Sequence, residues 1–335
     1  MKRYKNIYGK IYDYNNLLKA HHKARKGKGF YREVKMFNNN EDYYIKLIQD
    51  MLINKTYKTS EYEVFTITDK GKEREIYKLP YFPDRVVQWA IMLQIESIFL
   101  ETFIYDSYAA IPNKGVHIAS TRLSKWLKCD KQNTMYCFKM DIKKYFPNID
   151  HKILKRLLRQ KIKDKDVLHL LDEIIDSTDN GIPIGNYISQ YFANFYLTYF
   201  DHWVKEVLGI KYYMRYMDDL IILNNSKEFL HEVKIKIENY LSNELKLTIK
   251  SNWQVFPVDS RGIDFMGYRH FRDYTLLRKS TCKNFKSKMN EINKKDSLNK
   301  SDICSIKSYE GWLMWCNSYN LYQKYINTSM KLRTI

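Results

Sequence analysis

The sequence predicts an α+β fold in which helices pack on one face of an antiparallel sheet. Two observations support this. Short strand-forming runs flank tight turns at residues 61–80 and 211–223, as in β-hairpins. Longer segments, such as those after Pro83 and after Pro183, carry apolar residues at helical spacing. Because strands and helices do not alternate regularly, a parallel sheet built from βαβ units is not expected.

The elements can be assigned in order from periodicity, turn residues and capping residues. Asp69–Lys70–Gly71 forms the turn of the first hairpin, and Asp150 is expected to cap a helix. The predicted elements are a helix at 41–54, a hairpin at 61–80, a helix from 83, a strand at 134–142, a helix from 150, a long helix at 184–203, a hairpin at 211–223, a helix at 229–241, an extended pair within 247–278 and helices thereafter.

The charge distribution indicates a polyanionic partner. The chain has 57 Lys and Arg against 38 Asp and Glu, a net charge of +19. Residues 1–35 carry 11 basic and two acidic side chains, and residues 276–335 carry 12 and four. Aromatic residues, at 15% of the chain, are interleaved with the basic ones and could stack on bases. Nucleic acid is therefore the expected partner, and a lysine-rich composition without a ligand is the alternative.

The composition also argues against other classes of protein. No apolar run is long enough to span a bilayer, so no membrane partner is expected. The basic N-terminus lacks the apolar segment of a secretory signal. Five scattered cysteines, without CxxC spacing, argue against a disulfide framework or zinc site and fit a reducing cytoplasm. A chain of 335 residues suggests two or three subdomains.

Three carboxylates are the candidate chemical centre. Asp218 and Asp219 are flanked by apolar strands, and Asp141 ends another apolar strand. Buried like charges repel unless cations offset them, although an adjacent Asp pair is also common in solvated loops. The spacing suggests that a strand end and a hairpin turn converge on two Mg²⁺ ions, with Mn²⁺ able to substitute. Such a pair of ions supports nucleotidyl transfer.

These residues resemble the motifs of reverse transcriptases. Tyr216–Asp219 matches their YxDD motif, and residues 138–146 resemble their first palm motif, in which an aromatic residue follows the Asp by five positions. The resemblance implies a right-hand polymerase with fingers at 1–130, a palm at 131–275 whose antiparallel sheet is backed by helices, and a helical thumb at 276–335. It further implies an RNA-directed DNA polymerase that uses template RNA, a DNA primer and dNTPs.

The resemblance also implies roles for individual residues. Asp141 and Asp218 would ligate both metal ions, Asp219 would assist, and the carbonyl of Ile142 would contribute. Phe146 would be a steric gate against a 2′-hydroxyl, with core packing as the alternative.

Further positions match motifs that handle the nucleotide and the primer. Lys72 and Arg74 would grip the triphosphate, unless they are simply a solvated hairpin tip. Lys250 would protonate the departing pyrophosphate. The implied primer grip comprises Phe265, Met266 and Gly267.

One further motif suggests a subtype. Most reverse transcriptases have PQGxxxSP, whereas this chain has Ile184 before Gly185 and ends the motif with Gln190. This form, with residues 107–117, resembles the enzymes of diversity-generating retroelements. Ile184, Gly185 and Gln190 would then contact the nucleotide. The alternative for Ile184 is simply an apolar residue at the start of a helix. An isoleucine cannot hydrogen-bond the nucleotide, so error-prone synthesis is expected.

This subtype implies mutations opposite template adenines, a template-repeat RNA copied into cDNA, and a small basic accessory protein. The alternatives are a retron, group II intron-like or phage-defence reverse transcriptase. A catalytically silent RNA-binding protein of the same fold is a further alternative.

Overall fold

A computed structural model describes residues 3–69 and 71–327 of the chain. Residues 328–335 of the predicted thumb therefore lie outside the described residues, as does the side chain of Lys72. The chain forms two compact units built from interleaved segments. The first unit comprises residues 1–105, 142–207 and 237–249, and the second comprises 106–141, 208–236 and 250–335. The predicted boundaries of fingers, palm and thumb stay predictions.

The helices and strands are numbered in chain order. The helices are α1 (Tyr8–Ile11), α2 (Tyr14–Ala24), α3 (Arg32–Asn39), α4 (Glu41–Ile53), α5 (Val86–Leu100), α6 (Val116–Cys129), α7 (His151–Lys161), α8 (Lys165–Ile175), α9 (Tyr187–Tyr196), α10 (Thr198–His202), α11 (Lys227–Leu245), α12 (Val258–Arg261), α13 (Lys279–Ile292), α14 (Lys300–Leu313) and α15 (Tyr319–Tyr322). The strands are β1 (Glu63–Asp69), β2 (Lys72–Lys78), β3 (Tyr136–Asp141), β4 (Tyr212–Tyr216), β5 (Asp219–Asn224), β6 (Gln254–Pro257), β7 (Ile263–Phe265), β8 (Tyr268–His270) and β9 (Thr275–Leu277). Short 3₁₀ or π turns lie at Tyr81–Arg85, Gln132–Thr134, Phe146–Asn148, Trp203–Val207 and Gln323–Asn327.

Helix α5 is the centre of the first unit. Apolar residues are spread around most of this helix, and its residues Val87, Ile91 and Ile95 are fully buried, as expected of a helix that other elements largely enclose. Helix α2 packs beside it, where the amide of Asn16 donates to the carbonyl of Ala90 (3.1 Å). This hydrogen bond satisfies a buried polar side chain within the core.

The predicted hairpin at 61–80 is present in the first unit as the antiparallel pair β1–β2. Asp150 also caps α7 as predicted, because its carboxylate accepts from the backbone N–H of Ile153 (3.0 Å). The single long helix predicted at 184–203 is wrong. The helix begins at Tyr187 and breaks at Leu197, so the segment forms α9 and α10.

The second unit contains a four-stranded antiparallel sheet in the order β4-β5-β3-β6. Its central strands are buried on both faces: Cys137 and Phe138, which are consecutive and point to opposite faces, are both fully buried. On the face of Cys137, Leu123 and Trp126 of α6 join the same hydrophobic cluster. The strands at 134–142 and 211–223 predicted from the sequence correspond to β3, β4 and β5.

A second, three-stranded sheet follows in the same unit, in the order β7-β8-β9. The sequence predicted only an extended pair between 247 and 278, because three-residue strands are too short to show alternation. Tyr268 of β8 shares a hydrophobic cluster with Phe285 of α13 and Ile306 of α14. The predicted helices after 278 are thus present and pack on this sheet.

No helix within the described part of the chain is long and apolar enough to cross a membrane.

Gly181 and Gly209 permit a matched test of a close backbone contact. Both have φ +65°, where an L side chain costs about 1–2 kcal/mol. A Cβ at Gly181 would lie 2.5 Å from the carbonyl oxygen of Phe146, whereas one at Gly209 would meet no atom within 4 Å. We expect Gly181→Ala to lower the free energy of unfolding by about 1–3 kcal/mol more than Gly209→Ala. Urea denaturation of both variants measures this, and equal losses would contradict the contact.

Candidate active site

Asp141 and Asp219 lie opposite each other in the sheet of the second unit. Asp141 is the last residue of β3, Asp219 is the first of β5, and the two are direct partners in the antiparallel register. Asp218 lies in the two-residue turn between β4 and β5. The structure therefore brings Asp141 together with Asp218 and Asp219, which follow it 77 and 78 positions later in the sequence.

The turn that carries Asp218 is held by a buried cation. Met217 has φ +56°, a left-handed conformation that is unusual for a residue with a side chain. Arg215, which is fully buried, donates from Nη1 to the carbonyl oxygen of Met217 (2.9 Å). The hydrogen bond fixes the turn and with it the direction of the neighbouring carboxylate. Such strained conformations persist where the surrounding structure supports them.

The carboxylates carry more negative charge than their surroundings offset. Burial raises the pKa of Asp218 to about 6, and the nearby Asp141 raises it further. Burial likewise raises the pKa of Asp219 to about 7, against the lowering effect of Lys139. Lys250 pairs with Asp141, with its Nζ 2.6 Å from Oδ2. Among the described residues, one buried oxygen (Oδ1) on each of Asp141 and Asp219 has no hydrogen-bond partner.

This donor set fits divalent cations with oxygen ligands. Mg²⁺ uses few protein carboxylates and takes its remaining ligands from water and substrate phosphate. The partnerless oxygens of Asp141 and Asp219 and the raised pKa of Asp218 are the features that a bound cation would relieve. No group of three or more His, Cys, Asp or Glu side chains in the described residues is already arranged around one metal position.

The predicted primer-grip residues form the turn of the neighbouring hairpin. Phe265 pairs with Tyr268 across β7 and β8, and Met266 and Gly267 between them both have positive φ. This is the conformation of a tight two-residue hairpin turn. Gly267 is required here, since a Cβ would lie 2.6 Å from the indole ring of Trp312.

Other predicted site residues lie in the first unit. Phe146 is half-buried in a 3₁₀ turn, and its carbonyl oxygen accepts from the N–H of Ile182 (3.0 Å). Ile142 is fully buried and forms an isolated bridge with Ile249. Lys72 and Arg74 lie in β2, and Arg74 is exposed.

The Ile184–Gly185 dipeptide docks on the β1–β2 hairpin within the first unit. The carbonyl of Ile184 accepts from the N–H of Tyr77 in β2 (2.9 Å). Gly185 has φ +125°, and a Cβ there would lie 2.7 Å from the carbonyl oxygen of Tyr77. Ile184 is half-buried, and Gln190 is exposed on α9. The motif therefore lies against the hairpin that carries Lys72 and Arg74.

A comparison with protein families agrees with these motifs. Residues 57–270, more than half of the chain, match the model of the family described as reverse transcriptase (RNA-dependent DNA polymerase). The chain belongs to the reverse transcriptase family. The match includes Asp141, Asp218 and Asp219, and it supports RNA-directed DNA polymerase activity.

Individual relatives of this reverse transcriptase are distant. It is 24% identical to protein YkfC of Escherichia coli (strain K12) over 272 residues, which cover 68% of this chain and 71% of YkfC. It is 23% identical to the group II intron-encoded protein LtrA of Lactococcus lactis subsp. cremoris over 316 residues, which cover 73% of this chain. The chain spans only about half of LtrA, 51% of its length.

A solved structure confirms the predicted fold class. The apo telomerase of Candida tropicalis aligns with a TM-score of 0.53 and 14% identity, covering 82% of this chain and 56% of the telomerase chain. At this identity the likeness shows the fold alone. The fold is thus the α+β polymerase fold with antiparallel sheets that the sequence predicts.

Two cations beside the carboxylates were missed by the sequence reasoning. Lys139 lies two residues before Asp141, and residues two apart on a strand share a face, so its position could have been inferred. Arg215 lies among strand residues that are otherwise apolar, and a charge at such a position signals a specific partner.

Removing one of the three carboxylates tests whether their mutual repulsion destabilises the protein. We expect Asp219→Asn to raise the Tm in EDTA by about 1–2 °C, the shift that about 1 kcal/mol produces in a chain of 335 residues. We also expect Mg²⁺ to raise the Tm of the native protein, and to raise the Tm of this variant by less. Thermal unfolding with EDTA and with Mg²⁺ measures both effects, with the exposed Asp179→Asn as the control. An unchanged response to Mg²⁺ would contradict the assignment of Asp219.

Proposed function

We propose that this protein is a Mg²⁺-dependent RNA-directed DNA polymerase in which Asp141, Asp218 and Asp219 are the catalytic carboxylates. Mn²⁺ would be able to replace Mg²⁺. The observation that carries the proposal is the pairing of Asp141 with Asp219 in the sheet register, beside Asp218 in the turn. A catalytically silent protein of the same fold would have no need to keep three like charges together, because their repulsion destabilises it.

The reaction is attack of the primer 3′-hydroxyl on the α-phosphate of a dNTP, with release of pyrophosphate. Asp141 and Asp218 would hold two divalent cations, and these would supply positive charge to the attacking and leaving oxygens. Asp219 would assist, and the carbonyl of Ile142 would add a ligand. Lys250, whose Nζ lies 2.6 Å from Oδ2 of Asp141, would donate a proton to the leaving pyrophosphate.

The remaining residues would bind and orient the substrates. Lys72 and Arg74 would grip the triphosphate through charge-assisted hydrogen bonds. Phe146 would lie under the sugar and exclude a 2′-hydroxyl. The primer end would rest on the hairpin turn of Phe265, Met266 and Gly267.

The proposed subdomains are fingers at 1–130, palm at 131–275 and thumb at 276–335. The strongly basic ends of the chain fall within the fingers and the thumb, and they would bind the template RNA and the growing cDNA through phosphate contacts. A cytoplasmic location is proposed from the five cysteines, which are all unpaired.

Polymerase activity can be tested on a poly(A) template with an oligo(dT) primer. We expect Mg²⁺-dependent incorporation of dTTP, and loss of more than about 10³-fold in Asp218→Ala because the carboxylate acts directly on the reacting groups. Asp179→Ala, at an exposed position outside the three carboxylates, should keep full activity. Activity that persists in Asp218→Ala would reject the metal assignment. No activity in the native protein would favour the silent RNA-binding alternative.

We further propose that the enzyme serves a diversity-generating retroelement and copies a template-repeat RNA into error-prone cDNA. Ile184, Gly185 and Gln190, which depart from the usual PQGxxxSP pattern, support this subtype. A half-buried isoleucine can contact a nucleotide but cannot hydrogen-bond it, so geometric discrimination between base pairs weakens. A small basic accessory protein would complete the system.

Fidelity tests the role of Ile184. We expect Ile184→Gln to lower the error frequency opposite template adenines by about tenfold, the discrimination that about 1.4 kcal/mol provides. Ile184→Val keeps an aliphatic side chain and should retain the native error frequency. Sequencing of cDNA made from one defined RNA by all three proteins measures this. Equal error frequencies in the native protein and both variants would reject the role of Ile184 in fidelity. Synthesis of DNA by the native protein without added template RNA would favour a phage-defence reverse transcriptase.

A further inference from the structure

Lys139 contacts both the catalytic sheet and the hairpin that follows it in the second unit. Its ammonium group lies 3.7 Å from Oδ2 of Asp219 and donates to the backbone carbonyl of Asp264 (2.5 Å). It also lies 5.9 Å from the ring centre of Phe265. One side chain of β3 therefore joins a candidate catalytic carboxylate to the first strand of the proposed primer-grip hairpin.

The strand geometry explains why Lys139 can reach both partners. Lys139 and Asp141 are two residues apart on β3, so both side chains extend from the same face of the sheet. Lys139 is opposite Ile221 in the register, and Asp219 lies two residues before Ile221 on that face. The side chain is 26% exposed, so its charge is partly removed from water. A lysine in such a position is expected to have a specific partner.

The hairpin is held from its other side as well. Asp264 uses its carboxylate to pair with the guanidinium of Arg278, 2.6 Å away. The backbone N–H of Arg278 also donates to the carbonyl of Gly267 in the hairpin turn (2.9 Å). Because Arg278 immediately precedes α13, the hairpin is tied to the start of that helix. The side chain of Lys139 thus connects this assembly to Asp219, and the nearby charge of Arg278 also lowers the pKa of Asp219.

We propose that Lys139 is a positioning residue that couples the primer-grip hairpin to the catalytic carboxylates. The inference rests on the proposed polymerase function. In the absence of a divalent cation, the ammonium of Lys139 offsets part of the charge of Asp219. When a divalent cation is bound, the same ammonium keeps the hairpin, and therefore the primer end, at a fixed distance from the carboxylates.

This arrangement predicts two effects of opposite sign when the charge is removed. Lys139→Met keeps an unbranched apolar stem against Phe265 but loses the ammonium. A cation would then meet less competition at Asp219, so the Mg²⁺ concentration for half-maximal stabilisation should fall by up to about fivefold, the limit for an ion pair of this exposure. The hairpin would lose its link to Asp219, so the KM for the primer–template should rise and kcat should fall.

The experiment compares Lys139→Met and Lys139→Arg with the native protein. Lys139→Arg keeps the positive charge and should hold the Mg²⁺ midpoint near the native value. Lys128→Met changes an exposed lysine of α6 and serves as the matched control. Mg²⁺ titrations followed by thermal unfolding, without nucleic acid, give the midpoint. Primer extension at saturating Mg²⁺ gives KM and kcat.

A lower Mg²⁺ midpoint together with a higher primer KM in Lys139→Met, but not in Lys128→Met, supports the proposal. A merely structural role would weaken extension without lowering the Mg²⁺ midpoint, and that result would overturn it. An unchanged midpoint and an unchanged KM would also overturn it. Failure of the native protein to extend any primer would instead reject the polymerase function, while the Mg²⁺ titration would still report whether Lys139 competes at Asp219.

Discussion

Electrostatic repulsion among Asp141, Asp218 and Asp219 is the constraint on which the rest of the site depends. The sheet register and the β4–β5 turn hold the three carboxylates together, and partial burial raises the pKa of Asp218 and of Asp219. Lys139 and Lys250 offset part of this charge, and each is paired with a different carboxylate. The charge of Arg278 also lowers the pKa of Asp219. The offset is partial, because buried oxygens of Asp141 and Asp219 still have no partner in the described residues. In the proposed function, cations and a substrate would complete this arrangement.

Holding like charges in place requires a rigid frame, which the backbone of the second unit supplies. Arg215 is buried so that it can bind the carbonyl of Met217 and keep that residue in its left-handed conformation. The hydrogen bonds of three antiparallel strands set the spacing of the carboxylates, and their apolar side chains fill the hydrophobic cluster beneath. A loop could not hold the three groups to the same tolerance. Stability and chemistry are therefore linked through the same few strands.

The features of the fold and the site that could be predicted from the sequence are those that depend on residues close together along the chain. The hairpin around Asp218 follows from a tight turn between two apolar runs, and the cap at Asp150 follows from its place before an amphipathic helix. The break at Leu197 could not be predicted, because apolar residues at helical spacing continue past it and tertiary packing decides where the helix ends. The contact of Lys139 with the carbonyl of Asp264 joins residues 125 positions apart, and its backbone acceptor has no signature in the sequence.

In the Ile184–Gly185 dipeptide, the main chain docks the motif on the hairpin through a hydrogen bond, and the side chain of Ile184 takes no part in that hydrogen bond. The main chain of Ile184 is fixed by its hydrogen bond to Tyr77, and that bond is independent of which side chain residue 184 carries. Gly185 has no such freedom, since any Cβ would collide with the carbonyl of Tyr77. The side chain at 184 can therefore change from a hydrogen-bonding amide to an aliphatic group without disturbing the docking of the motif on the hairpin. If residue 184 contacts the nucleotide as proposed, one substitution there would change fidelity, because the backbone that presents the side chain stays the same.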